Sequence, residues 1–143
     1  MGCIVLTTDL SPESERAFAP AIELAKKLSL PVALLAVVEE VPFEPTGGGM
    51  AAPVVDWAQI AGEWKKLAEA QAARLSGDVA VRAVVLEAAD VPHAIVEFAQ
   101  REGASYIAMA THGRRGLRRL LLGSVAEGVL RHSRVPVILY PPA

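Results

Sequence analysis

Tyr106-Ile107-Ala108-Met109-Ala110-Thr111-His112-Gly113, nine further residues, then Gly123-Ser124-Val125-Ala126-Glu127 is the stretch on which the reading of this chain turns. An apolar run of strand length gives way to small and polar residues, and an amphipathic helical run starts at Ser124. A strand that ends where a helix begins leaves free backbone N–H groups at the positive end of a helix dipole, a setting suited to an anion. Glycine lets the main chain come close to a phosphate, where a Cβ would intervene. The spacing is neither the G-x-x-x-x-G-K-[ST] of a Walker A loop nor the G-x-G-x-x-G of a dinucleotide fold.

The same alternation extends outward in both directions. Cys3 to Thr8 is a β-branched and apolar run closed by Asp9, and Ser11-Pro12 with Glu13 and Glu15 forms a helix start. Ala17, Phe18, Ala21, Ile22, Ala25 and Leu28 then recur at helical spacing as an inward face. Val32 to Val38 is a uniformly apolar strand, covered on both faces. A helix from about Val54 to Leu75 carries Trp57, Ile60, Trp64, Leu67, Ala68 and Leu75 as its buried stripe. Val79 to Leu86 is a third strand, Pro92 to Arg101 a third helix with Ile95, Phe98 and Ala99 inward, and Ala104 to Ala110 a fourth strand. Ser124 to His132 is a fourth helix and Val135 to Tyr140 a fifth strand. Between the second strand and the second helix, about 39–53, three prolines and Gly47-Gly48-Gly49 predict an irregular, mobile loop.

Strands alternating with helices imply right-handed crossovers, hence an α/β fold with an open five-stranded parallel sheet and helices on both faces. The chain of 143 residues forms one domain, 1–143, without internal repeats. Ligands in such folds bind beyond the carboxyl ends of the strands, where the strand order reverses. Thr8-Asp9 and Ala110 to Gly113 both lie just past strand ends, and that convergence marks the candidate site.

Composition excludes several classes of function. A hydrophobic share of 52% with 21% charged residues fits a compact soluble protein, and a formal net charge of −2 gives no general attraction to nucleic acid or anionic membranes. No apolar run approaches a spanning helix, and the start lacks the basic region of a secretory signal. Cys3 is the single cysteine and reads as a small buried hydrophobe, consistent with a reducing cytoplasm. His93, His112 and His132 are dispersed and form no metal motif.

At the candidate site each residue has a structural and a functional reading. Asp9 either accepts hydrogen bonds from a nucleoside or caps the helix it precedes; Ser11 offers an alternative cap, which favours the ligand role. Gly113, Gly123 and Ser124 either supply donors to phosphates or form a turn and a cap that bind nothing. His112 is spaced for hydrogen bonding to a phosphate rather than catalysis, since no carboxylate in its loop orients it. Arg114 is the best placed of the cluster Arg114, Arg115, Arg118 and Arg119 to neutralise phosphates, and no aromatic residues interleave to suggest nucleic acid.

Met109 to Glu127, with Val135-Pro136-Val137-Ile138 following and Thr8-Asp9-Leu10-Ser11-Pro12 at the start, closely resembles the universal stress protein family. The likeness spans essentially the whole chain and is most specific in the C-terminal stretch. It implies strand order 3-2-1-4-5, a Rossmann-like sheet akin to the adenine nucleotide alpha hydrolases, homodimerisation through the last strand Val135 to Tyr140, and a stress-response or signalling role. The family's ATP-binding branch carries G-x-x-G, nine residues, then G-[ST]; here Ala110 stands in the first glycine's place, which matters if that turn requires a positive φ. By position, the resemblance brings Thr7, Thr8 and Asp9 to the nucleoside, the main chain of Val37 to the adenine edge, and Met109 and Ala110 to the base and ribose. His112, Gly113, Arg114, Gly123, Ser124, Val125 and Ala126 would surround the phosphates of ATP, ADP or AMP, with Mg²⁺ carried by phosphate oxygens. Hydrolysis would be slow at most, since no activated water or arginine finger is evident. The family's other branch, a dimeric interaction or protective protein without nucleotide, is the competing reading.

Overall fold

The computed structural model describes residues 2–41, 54–111 and 122–141. Its order is β1 (Ile4–Thr7), a 3-10 turn (Ser14–Ala17), α1 (Phe18–Leu28), β2 (Val32–Glu39), α2 (Trp57–Leu75), β3 (Val81–Ala88), α3 (Val91–Arg101), β4 (Tyr106–Ala110), α4 (Ser124–His132) and β5 (Val137–Tyr140). The five strands form one sheet in the order β3-β2-β1-β4-β5, and every neighbouring pair is parallel. Val5 lies between Ala33 on one side and Ile107 on the other, so β1 is the axis from which the chain winds both ways.

Period-two alternation divides the core between the two faces. Val5, Ala33, Leu35, Val37, Ile107 and Met109 point toward α3 and α4, where Ile95, Phe98, Ala126 and Val129 meet them. Ile4, Leu6, Val32, Leu34 and Ala108 point the other way, against Phe18, Ala21 and Ala25 of α1 and Ala72 of α2. β2 is buried along seven of its eight residues, as its unbroken apolar sequence requires. The edge strands β3 and β5 are half-buried instead.

Element ends follow side-chain chemistry that periodicity does not register. Asp56 accepts from the Gln59 N–H at 3.1 Å and starts α2 at Trp57 rather than Val54. Asp90 does the same for His93 and starts α3 at Val91. Pro20 has no N–H to give, and α1 proper opens at Phe18 behind a separate 3-10 turn. Ser133 exchanges hydrogen bonds with Val135, whose N–H it accepts at 3.0 Å, so β5 begins at Val137 rather than Val135.

The inward stripe of α2 is narrower than the spacing predicts. Ala68, Gln71 and Ala72 are buried, Trp57, Ile60, Trp64 and Leu75 are half-buried, and Leu67 is 56% exposed. Leu28 at the end of α1 is likewise exposed, beside the left-handed Ser29. Cys3 is buried as expected, and that burial pushes its thiol up from the ordinary value. Glu39 closes β2, the Glu40 N–H still donates to the Ala88 carbonyl at 2.9 Å, and residues 42–53 of the expected loop lie outside the described residues.

Candidate functional site

The sheet reverses its winding between β1 and β4, and a cavity of about 710 Å³ opens there beyond the carboxyl ends of the strands. Thr7, Thr8, Asp9, Val37, Met109, Ala110, Gly123, Ser124, Val125 and Ala126 all line it. Residues more than a hundred positions apart in sequence thus meet in one cleft, as the alternation predicts. His112, Gly113 and Arg114, with the rest of the arginine cluster, lie outside the described residues.

The β1 wall is a turn built from side-chain hydrogen bonds. Thr8 N–H continues the ladder to the Leu35 carbonyl at 2.9 Å, after which the chain leaves the sheet. Thr8 Oγ1 accepts from the Leu10 N–H at 3.0 Å. Asp9 Oδ1 accepts from the Ser11 N–H at 2.9 Å and from the Ser11 hydroxyl. These overlapping local turns carry Leu10 at φ 67°, a left-handed conformation that a side chain disfavours. Asp9 organises the turn that precedes the helix, and it also lines the cavity.

The opposite wall is built from backbone. Ala110 is the last residue of β4, in register with Tyr140, and its backbone is extended. The position of the family's first glycine therefore asks for no positive φ, and alanine occupies it without strain. Burial of Tyr140 pushes its phenol up from the ordinary value. Thr111 N–H donates to the Tyr140 carbonyl at 3.1 Å, and the Thr111 carbonyl accepts from Gly123 N–H at 2.8 Å. The chain thus leaves β4 and enters α4 at a single hydrogen-bonded point.

Gly123 holds φ −62° and ψ 157°, and no side chain among the described residues caps α4. The Glu127 N–H closes the first helical turn onto the Gly123 carbonyl at 2.9 Å. The N–H groups of Ser124, Val125 and Ala126 precede that bond, at the positive end of the helix dipole, on residues that line the cavity. The depth of α4 is set by contact: a Cβ on Gly128 would stand 2.7 Å from Pro92 of α3.

Leu35, Glu39, Val91, Ile95, Ser14 and Thr111 complete the lining beyond the residues read from sequence. Leu35 was legible, since it sits two residues before Val37 on the same face of β2. Val91 and Ile95 share a helical face at i, i+4, which the motif spacing does not address. The whole arrangement offers an apolar floor for a flat ring, hydroxyl and carboxylate groups on one side, and an uncapped helix start on the other. Among the described residues no three His, Cys, Asp or Glu side chains gather as a metal site, and no helix is long and apolar enough to cross a membrane.

Comparison with known proteins agrees with this geometry. Residues 1–141 match the model of the universal stress protein family. A universal stress protein of Methanocaldococcus jannaschii, MJ0531, is 35% identical over 142 residues, covering 95% of this chain and 79% of that protein. Among solved structures, a universal stress protein from Archaeoglobus fulgidus superposes with a TM-score of 0.73 at 25% identity, covering 97% of this chain and 98% of its own. A universal stress protein from the same organism in complex with dAMP gives a TM-score of 0.69 at 25% identity, covering 97% of each chain. On its sequence, strand order and cleft alike, the chain belongs to the universal stress protein family.

Proposed function

We propose that this protein binds an adenine nucleotide in the cleft between β1 and β4 and acts as a stress-response or signalling module rather than as a turnover enzyme. The observation that carries the reading is the meeting of an apolar floor with the uncapped start of α4 in one cavity at the switch point of the sheet. Val37, Met109 and Ala110 take the base and ribose side. Thr7, Thr8 and Asp9 face the nucleoside, and Gly123, Ser124, Val125 and Ala126 the phosphates. By the family resemblance His112, Gly113 and Arg114, which lie outside the described residues, would add to the phosphate side. The A. fulgidus relative in complex with dAMP supports an adenine ligand at this level of similarity. ATP is the ligand of choice because the sequence carries Gly113, Gly123, Ser124 and an arginine cluster, residue types that suit more than one phosphate. Among the described residues Asp9 and Glu39 are the carboxylates lining the cavity, a donor set that suits Mg²⁺ carried on phosphate oxygens better than a protein cage.

The functional unit in this reading is a cytoplasmic homodimer. β5 is a half-buried edge strand of four residues whose outer ladder is open among the described residues, and pairing with its twin would satisfy it. Calorimetric titration with ATP and Mg²⁺, with chromatography of nucleotide released from heat-denatured protein, tests the ligand. Absence of both heat and released nucleotide overturns it, and rapid ATP turnover would replace the signalling role with an enzymatic one. Sedimentation velocity tests the dimer, with a monomer at micromolar concentration as the failing result.

A further inference from the structure

Thr8 is the inner end of a line of polar groups that runs away from the cavity and out through α2. Its Oγ1 donates to Gln71 Oε1 at 3.2 Å, and Gln71 Nε2 donates to Glu15 Oε1 at 3.3 Å. Arg74 donates to the same carboxylate oxygen at 3.2 Å. Thr8 and Gln71 are each 6% exposed, so water cannot substitute for either partner. The alanines at 68 and 72 bring α2 close to the sheet, and only the long side chain between them reaches the end of β1.

Counting protons shows what Gln71 is for. A hydroxyl has one proton to give and two lone pairs. The Ser14 proton goes to the Ser11 carbonyl at 2.8 Å, although Ser14 Oγ also stands 3.1 Å from Thr8 Oγ1. The Thr8 proton therefore has two acceptors, Ser14 Oγ and Gln71 Oε1, and leaving it on Ser14 would orphan a buried amide oxygen. A flipped Gln71 amide would set its oxygen against the Glu15 carboxylate, acceptor to acceptor, so the amide lies with its oxygen toward Thr8. With its proton committed to Gln71, the Thr8 oxygen keeps a lone pair aimed at the Leu10 N–H, the bond that holds the left-handed turn beside Asp9.

We propose that Gln71 is a positioning residue for the cleft: it orients the Thr8 hydroxyl so that Thr8 holds the Leu10 turn and presents Asp9 to the ligand. The inference rests on the nucleotide reading above. It assigns to α2, a helix that contributes no residue to the cavity lining, control over how one wall of that cavity is set.

Two variants separate the acceptor from the bulk of the side chain. Gln71→Met keeps the volume and loses the acceptor. Gln71→Glu keeps an acceptor for Thr8 but faces the Glu15 carboxylate, with Arg74 as the neighbouring cation. Expected for Gln71→Met is about tenfold faster exchange of the Leu10 amide and about tenfold weaker ATP binding. Gln71→Glu is expected to keep both within about threefold of the parent, even where its melting temperature falls as far. A glutamine that merely fills space would instead weaken binding in both variants in step with stability. That result, or unchanged Leu10 exchange in Gln71→Met, overturns the proposal. Gln71→Asn, one methylene too short to span Thr8 and Glu15, replaces the methionine variant if that one fails to fold. Should the parent bind no ATP, the nucleotide reading fails on its own, and the Leu10 exchange still decides whether Gln71 holds the turn.

Discussion

The two walls of the cleft solve opposite problems. The β1 wall consists of side chains already paired with one another or with nearby backbone: Thr8 with Gln71 and the Leu10 N–H, Asp9 with the Ser11 N–H and hydroxyl, and the Ser14 hydroxyl with the Ser11 carbonyl. The α4 wall offers backbone N–H groups that no side chain among the described residues caps, placed by backbone hydrogen bonds at Thr111 and Gly123 and by packing on α3. A wall whose polar groups are already paired has a fixed shape and selects by fit. A wall whose donors remain open attracts an anion and is held in place from behind. The comparison can be broken by disturbing each wall with its own kind of change.

The largest effect is expected on the paired wall. Thr8→Val preserves shape but leaves the buried Gln71 Oε1 and the part-buried Leu10 N–H without their partner, at a cost of about 3 kcal/mol. Urea denaturation would read it as a lower midpoint at unchanged slope. A loss below about 0.5 kcal/mol would show that water satisfies those groups and that the wall is not fixed. On the other wall, Gly128→Ala drives a methyl against the rigid Pro92 ring and is expected to cost about 2 kcal/mol, despite alanine's better helix propensity. Adding Pro92→Ala should recover most of that loss in a double-mutant cycle. Simple additivity of the two changes would mean that α4 is positioned elsewhere.

How much of this was legible in the sequence differs between the walls in the same way. β2 and β4 were readable because strands covered on both faces must be apolar throughout, and the winding followed from alternation. The α4 wall was readable because glycine, spacing and a helix start are local signals. Ala110 was the doubtful position, and its extended backbone at the end of β4 needs no positive φ. The β1 wall was half-visible. Asp9 and Ser11 advertise a turn, but Leu10 is not a residue that signals a positive φ. Gln71 was invisible to hydrophobic periodicity, which favoured Leu67 for the core. The exposure of Leu67 shows that contact between α2 and the sheet is concentrated around Ala68 and Ala72, a matter of tertiary packing that a single-helix pattern does not contain.

The smallest effect on stability discriminates best between the walls. Gly123 occupies the cap position of α4 at φ −62°, which any residue can adopt, so Gly123→Asp meets no backbone obstacle. An aspartate there would accept from the open N–H groups of the first turn and complement the helix dipole, for a gain of a few tenths of a kcal/mol. The same carboxylate would occupy the place proposed for a phosphate, with the same sign of charge. ATP affinity should then fall by about tenfold or more while the melting temperature rises slightly. Stability and binding moving in opposite directions would show that the uncapped helix start is retained at a cost to the fold, for the ligand. If affinity were unchanged, the phosphates would lie elsewhere in the cleft, and the α4 wall would be open for no reason that binding explains.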